Sequence, residues 1–155
     1  MMKLMKADDK AAVMNDIVDE ATNDDLARIG EIAKKYGVTL RTLRFYEDKG
    51  LLSPKREGAT RLYTRREEVR LKLILLGRKV GFSLRDVKQM LDLYEPQGNN
   101  VKQLRLALDK SEKQLGRLNK QRQAIEEAIR ELTDAMTVVR AKLAEVRPMP
   151  VAANG

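Results

Sequence analysis

The 155-residue sequence contains no cysteine and no histidine. Without cysteine there is no disulfide, thiolate metal site, iron–sulfur cluster or cysteine nucleophile. Without histidine the usual general base and the commonest metal ligand are missing as well. The residues therefore argue for a binding protein rather than an enzyme, with no cofactor and no metal site. Tryptophan is also absent and aromatic residues make up only 4% of the chain, against 35% charged residues. That balance favours a solvated, mainly helical protein over a β-sandwich or barrel. No apolar run approaches the roughly 18 residues that a membrane span needs, and residues 1–10 lack the basic-then-apolar pattern of a signal peptide. The expected location is the cytoplasm.

What is present is basic charge, unevenly placed. Residues 1–27 carry seven acidic against three basic side chains, net −4; residues 28–95 carry 17 basic against nine acidic, net +8; residues 96–155 have net +4. An acidic N-terminal extension thus precedes a basic segment. Within the extension Met14, Ile17, Val18 and Ala21 recur at helical spacing, so a short helix and a mobile tail both fit. A basic excess suits a polyanion, because neutralised phosphates release condensed counterions; a merely solvated surface fits the charge alone equally well.

Residues 28–95 read as a winged helix-turn-helix. Ile29, Ile32, Ala33 and Tyr36 form a helical face that stops at Gly37. Thr39 can cap a second helix running to about Lys49, before Gly50 ends it. Pro54 makes the next segment extended, and Lys55 to Tyr63 bend around Gly58 as a β-hairpin wing. Thr64 can cap a third helix over 65–79, with Val69, Leu73, Leu76 and Val80 as its buried stripe and Glu67 and Glu68 complementing its dipole. Ser83 can cap a fourth over 84–94, burying Leu84, Val87, Met90 and Leu91. Residues 96–101 form a turn-rich linker, and the tail is 147–155.

Residues 102–146 carry the clearest periodicity. Leu104, Leu108, Ser111, Leu115, Leu118, Arg122, Ile125, Ile129, Leu132, Met136, Val139, Leu143 and Val146 fall at alternating steps of four and three. A sustained repeat of 3.5 residues specifies a left-handed coiled coil. About 45 helical residues extend about 65 Å, too far to be covered by a domain of this size, so the expected partner is a second copy. The seam does not distinguish parallel from antiparallel pairing. Ser111 and Arg122 interrupt it and can set register.

Ile29-Gly30-Glu31-Ile32-Ala33, Gly37-Val38-Thr39, Leu43-Arg44-Phe45-Tyr46-Glu47, Gly50-Leu51-Leu52, Pro54, Arg61-Leu62-Tyr63 and Gly81-Phe82 occur in the order found in the MerR family of bacterial transcription regulators, which the chain resembles. The resemblance covers 28–95 and, with the coil, reaches about residue 146. It implies that Arg41 and Arg44 meet base edges in the major groove of double-stranded DNA. It places Thr39, Tyr46, Arg56, Arg61, Tyr63 and Arg78 at phosphate-contact positions, with core packing under the wing as the alternative for Tyr46. Ala59 and Thr60 stand where relatives carry glycine and an aromatic residue, which puts one wing contact in doubt.

The resemblance further implies a homodimer on a palindromic operator within an over-long promoter spacer, whose distortion realigns the promoter for RNA polymerase. It also implies a small-molecule effector, of acyl-CoA type in the cysteine-free subgroup associated with branched-chain amino-acid and fatty-acid catabolism. The rival readings are an architectural protein that binds DNA without sequence preference and a coiled-coil adaptor that binds protein.

Overall fold

A computed structural model describes residues 26–94 and 98–146. The helical periodicity at 14–21, residue 95, residues 96–97 of the linker and the 147–155 tail lie outside the described residues. In order, the elements are β1 (Ala27–Arg28), α1 (Ile29–Tyr36), α2 (Leu40–Asp48), β2 (Lys55–Glu57), β3 (Thr60–Tyr63), α3 (Arg65–Lys79), α4 (Leu84–Asp92) and α5 (Val101–Glu145). The fold is mainly helical, as the sequence predicts.

The helix ends obey local chemistry. The hydroxyls of Thr39, Thr64 and Ser83 accept from the backbone N–H groups of Thr42, Glu67 and Asp86, so three helices start on a side-chain cap. Gly37 closes α1 in the left-handed conformation with φ of 63°, which a residue with a Cβ adopts at a cost. At the start of α1, Arg28 N–H donates to the Glu31 carboxylate over 2.7 Å.

The wing is a three-stranded antiparallel sheet in the order β1-β3-β2. Arg56 lies opposite Arg61 in the hairpin, and Arg28 lies opposite Leu62 on the other edge of β3. The hairpin follows from the sequence. The two-residue β1 does not, being too short to show alternation. It ties the entry of α1 to the wing.

Ile32, Leu43, Leu51, Leu52, Tyr63, Leu71, Ile74 and Val87 form the centre of the core. The stripe expected on α3 needs correction. Val69 is buried, but Leu73 and Leu76 are only half-buried and Val80 is exposed, while Leu71, Ile74 and Gly77 are fully buried. The helix is covered from more than one side, so a single apolar stripe misidentifies its inner face. Gly77 permits the close approach of α4, since a Cβ there would lie 2.7 Å from Val87 Cγ2.

The charged residues of α3 are not simply a solvated face. Glu67 is 6% exposed, and its carboxylate accepts from Ser53 N–H over 2.7 Å. One turn on, Arg70 Nε donates to Leu51 carbonyl oxygen over 3.0 Å. Together they pair one backbone donor and one backbone acceptor of the segment leaving α2, whose Leu51 and Leu52 N–H groups bond to Tyr46 carbonyl oxygen.

The chain divides into two compact units, Met1–Gln114 and Leu115–Gly155. The first takes in the opening turns of α5, which the sequence reading assigned to the coil. There Gln103 donates to Met90 carbonyl oxygen over 2.8 Å, Gln114 donates to Val80 carbonyl oxygen over 2.9 Å, and Lys110 pairs with Asp86. Within the same unit the seam residues Leu104 and Leu108 are exposed. In the second unit Leu115, Leu118, Ile125, Ile129, Leu132, Met136, Val139 and Leu143 are all exposed, by 40 to 67%. An apolar stripe of this kind, broken only at Arg122 within this unit, is the surface a partner helix would cover.

Candidate nucleic-acid interface

Helix α2 separates its residues cleanly. Leu43 and Tyr46 face the core, whereas Leu40, Arg41, Arg44, Phe45 and Asp48 are exposed. Arg41 and Arg44 stand one turn apart on that open side. Among the described residues neither forms a hydrogen bond or ion pair, so both guanidinium forks are available to an external acceptor. Thr39 is exposed at the start of the helix, where its hydroxyl caps Thr42 N–H and lies 2.9 Å from the Thr42 hydroxyl.

The wing is bound to α2 through Glu47, whose role the sequence did not reveal. One carboxylate oxygen accepts from Arg56 Nη2 over 2.6 Å and the other from Arg61 Nε over 2.7 Å. Burial alone would raise the carboxyl pKa, but the bonds from Arg61 and Arg56 outweigh it and hold Glu47 below the usual range. The bond to Glu47 holds the Arg61 guanidinium above its ordinary value. Glu47 therefore stays ionised and fixes the two wing arginines beside the open face of α2. Arg56 remains half exposed and Arg61 about one-fifth exposed. Glu47 sits directly after Tyr46, and only the facing hairpin shows what it does.

One of the two tyrosines requires correction. Tyr63 has no exposed surface, and burial pushes its hydroxyl pKa up. Tyr46 is 7% exposed and packs in the same core, its ring centroid 6.0 Å from that of Phe45. Tyr63 supports the wing from inside, its hydroxyl buried and without a hydrogen-bond partner among the described residues, whereas the Tyr46 hydroxyl is not buried and can still meet a phosphate. The physical reason is that the end of β3 is covered on both faces, Leu62 and Tyr63 being buried side by side, and that the inner face of α2 carries the Tyr46 ring.

Arg78 lies at the other end of α3. It is exposed, and its Nη1 donates to Phe82 carbonyl oxygen over 2.9 Å, tying it to the turn that joins α3 and α4. The open face of α2, the wing arginines and Arg78 together give the first unit several exposed cations. Around them, no cluster of three acidic side chains able to hold a metal ion occurs among the described residues. Nor is any described helix long and apolar enough to cross a membrane.

Residues 27–94 match the family described as "MerR HTH family regulatory protein", and residues 68–135 match the family described as "MerR, DNA binding". The HTH-type transcriptional regulator CueR of Salmonella typhi is 38% identical over 68 residues, which is 43% of this chain and 49% of CueR. The chain thus spans about half the length of the curated relatives it matches. Among solved structures, the N-terminal part of the Bacillus subtilis multidrug transporter activator, MtaN, is 28% identical with a TM-score of 0.55, covering 71% of this chain and 97% of that one. The transcription regulator PbrR691 of Ralstonia metallidurans CH34, solved with lead(II), is 34% identical with a TM-score of 0.51, covering 69% of this chain and 82% of that one. With the winged helix-turn-helix and the long helix both present in order, the chain belongs to the MerR HTH family of regulatory proteins.

Proposed function

We propose that the chain is a sequence-specific, DNA-binding transcription regulator that acts in the cytoplasm as a homodimer. The observation that carries the reading is the pair Arg41 and Arg44, exposed one turn apart on α2 and free of internal partners among the described residues. A guanidinium fork matches the two major-groove acceptors of guanine, so these side chains read base edges. Thr39, Arg56, Arg61 and Arg78 contact phosphates and set the register of the helix in the groove. Tyr63, with its buried hydroxyl, drops out of that set, and Tyr46 stays in it through the tip of its ring.

The exposed seam from Leu104 to Leu143 pairs with a second copy. Two recognition helices related by a two-fold axis require an operator with inverted half-sites. Distorting the DNA between them realigns promoter elements for RNA polymerase, and an effector acts by favouring one distorted state. Because the sequence holds neither cysteine nor histidine, that effector is not sensed through a thiolate or imidazole. An acyl-CoA-type molecule is the class suggested by the cysteine-free subgroup.

Selection of bound fragments from genomic DNA by the full chain tests this reading. Enrichment of fragments sharing an inverted repeat is expected, with a dimer in sedimentation equilibrium. Retention of all fragments alike would instead favour an architectural protein.

A further inference from the structure

The open face of α2 is not uniformly polar. Leu40 is 41% exposed and Phe45 42% exposed, on either side of the two arginines. Neither belongs to the core or packs against it as a partly buried neighbour. At about 100° per residue the order around the face is Leu40, Arg44, Arg41, Phe45, so the apolar groups form its two edges. Leu40 is also the first residue of the helix, and the N-terminal residues of a recognition helix are those that approach base edges. Phe45 is backed by the tilted Tyr46 ring, with the Lys49 ammonium 5.6 Å from its centroid.

An apolar side chain gains nothing from a phosphate oxygen. In the major groove the apolar group on a base edge is the thymine C5-methyl, which leucine and phenylalanine can bury. Resting on the assignment of α2 to the major groove, we propose that Leu40 and Phe45 are specificity-determining residues that each read a thymine methyl, flanking the bases read by Arg41 and Arg44. Five residues advance the helix by about 7.5 Å, roughly two base-pair steps, so the two methyls belong to different base pairs. The arginines select guanine through hydrogen bonds, and the apolar pair selects thymine over cytosine and over uracil through burial of one carbon.

The test uses the full chain and a DNA duplex recovered by binding-site selection. Each thymine in turn is replaced by deoxyuridine, which removes the C5-methyl and leaves base pairing intact. Dissociation constants are measured for the wild type, Leu40→Ala and Phe45→Ala. Burial of one methyl corresponds to about a fourfold change in affinity. The wild type is expected to weaken about fourfold at two thymines per half-site. Leu40→Ala should lose the sensitivity at one of them, Phe45→Ala at the other. Both variants keep the core intact and introduce a better helix former, so unchanged urea midpoints should accompany the result. A wild type that prefers its selected duplex over random DNA yet ignores every deoxyuridine overturns the inference alone, as do variants that retain the full wild-type sensitivity. Absence of any preference for a selected duplex overturns the parent reading, and this one with it.

Discussion

Replacing Glu67 by alanine should loosen the joint between the recognition helix and the wing. The carboxylate is 6% exposed and accepts the Ser53 amide over 2.7 Å. A hydrogen bond to a charged group contributes about 1.5–3 kcal/mol. The lower half of that range applies, because Ser53 is exposed and water can reach its amide once the carboxylate is gone. Loss of the buried methylene carbon beyond Cβ adds about 0.8 kcal/mol, and loss of the negative charge from the first turn of α3 adds about 0.3–1 kcal/mol. The expected destabilisation is about 2.5–4 kcal/mol. Glu67→Gln keeps an acceptor in the same place and should cost about 1 kcal/mol. Urea unfolding monitored by circular dichroism measures both, with a lower midpoint and an unchanged slope. Operator affinity of Glu67→Ala should also fall under conditions where the protein is folded, since the segment fastened by Glu67 leads into the wing. An alanine variant within about 0.5 kcal/mol of the wild type would refute the reasoning.

Other consequences of the structure are open to similar tests. Gly77→Ala sets a Cβ 2.7 Å from the buried Val87, so overpacking of about 1–3 kcal/mol should outweigh the gain in helix propensity of about 1 kcal/mol. The double variant Gly77→Ala/Val87→Ala should cost less than the two single changes added together. Arg41→Ala and Arg44→Ala should each cost about 1–3 kcal/mol in operator binding and relax preference at one base pair, whereas Arg56→Ala should weaken operator and random DNA alike and reduce the salt slope by about one; affinity titrations at several salt concentrations separate these outcomes. The hydrogen bonds from Lys110 and Ser83 hold the Asp86 carboxyl below its ordinary value of 3.8. Because the folded-state value is the lower one, this contribution to stability is complete above the unfolded value and is lost as pH falls through the folded one, in the region below about pH 4. Asp86→Asn should therefore flatten that part of the acid limb of the stability profile.

The elements easiest to read from sequence are those determined by neighbouring residues. Thr39, Thr64 and Ser83 cap their helices within three positions, and Gly37 ends α1 through its own backbone freedom. Arg41 and Arg44 are singled out by the resemblance rather than by spacing, and both are exposed on α2. Features that depend on distant packing were less accessible. Glu67 has the position of a residue complementing a helix dipole, and only the fold brings Ser53 to it. Glu47 pairs with two arginines that lie nine and 14 positions away, across a hairpin whose register sequence does not specify. The inner face of α3 does not follow from spacing because neighbours cover it on several sides, leaving Leu71 and Ile74 buried beside the stripe that spacing suggests. For Tyr63, burial at an end of β3 that is covered on both faces outweighs a motif-based assignment to phosphate.

The central claim is that exposed side chains of α2 read base sequence, with the wing arginines contributing mainly to position. The most direct measurement is the ratio of dissociation constants for a selected operator and a random duplex of equal length, at one fixed ionic strength. The operator should bind at least about a thousandfold more tightly. Affinities within about tenfold of one another would contradict it.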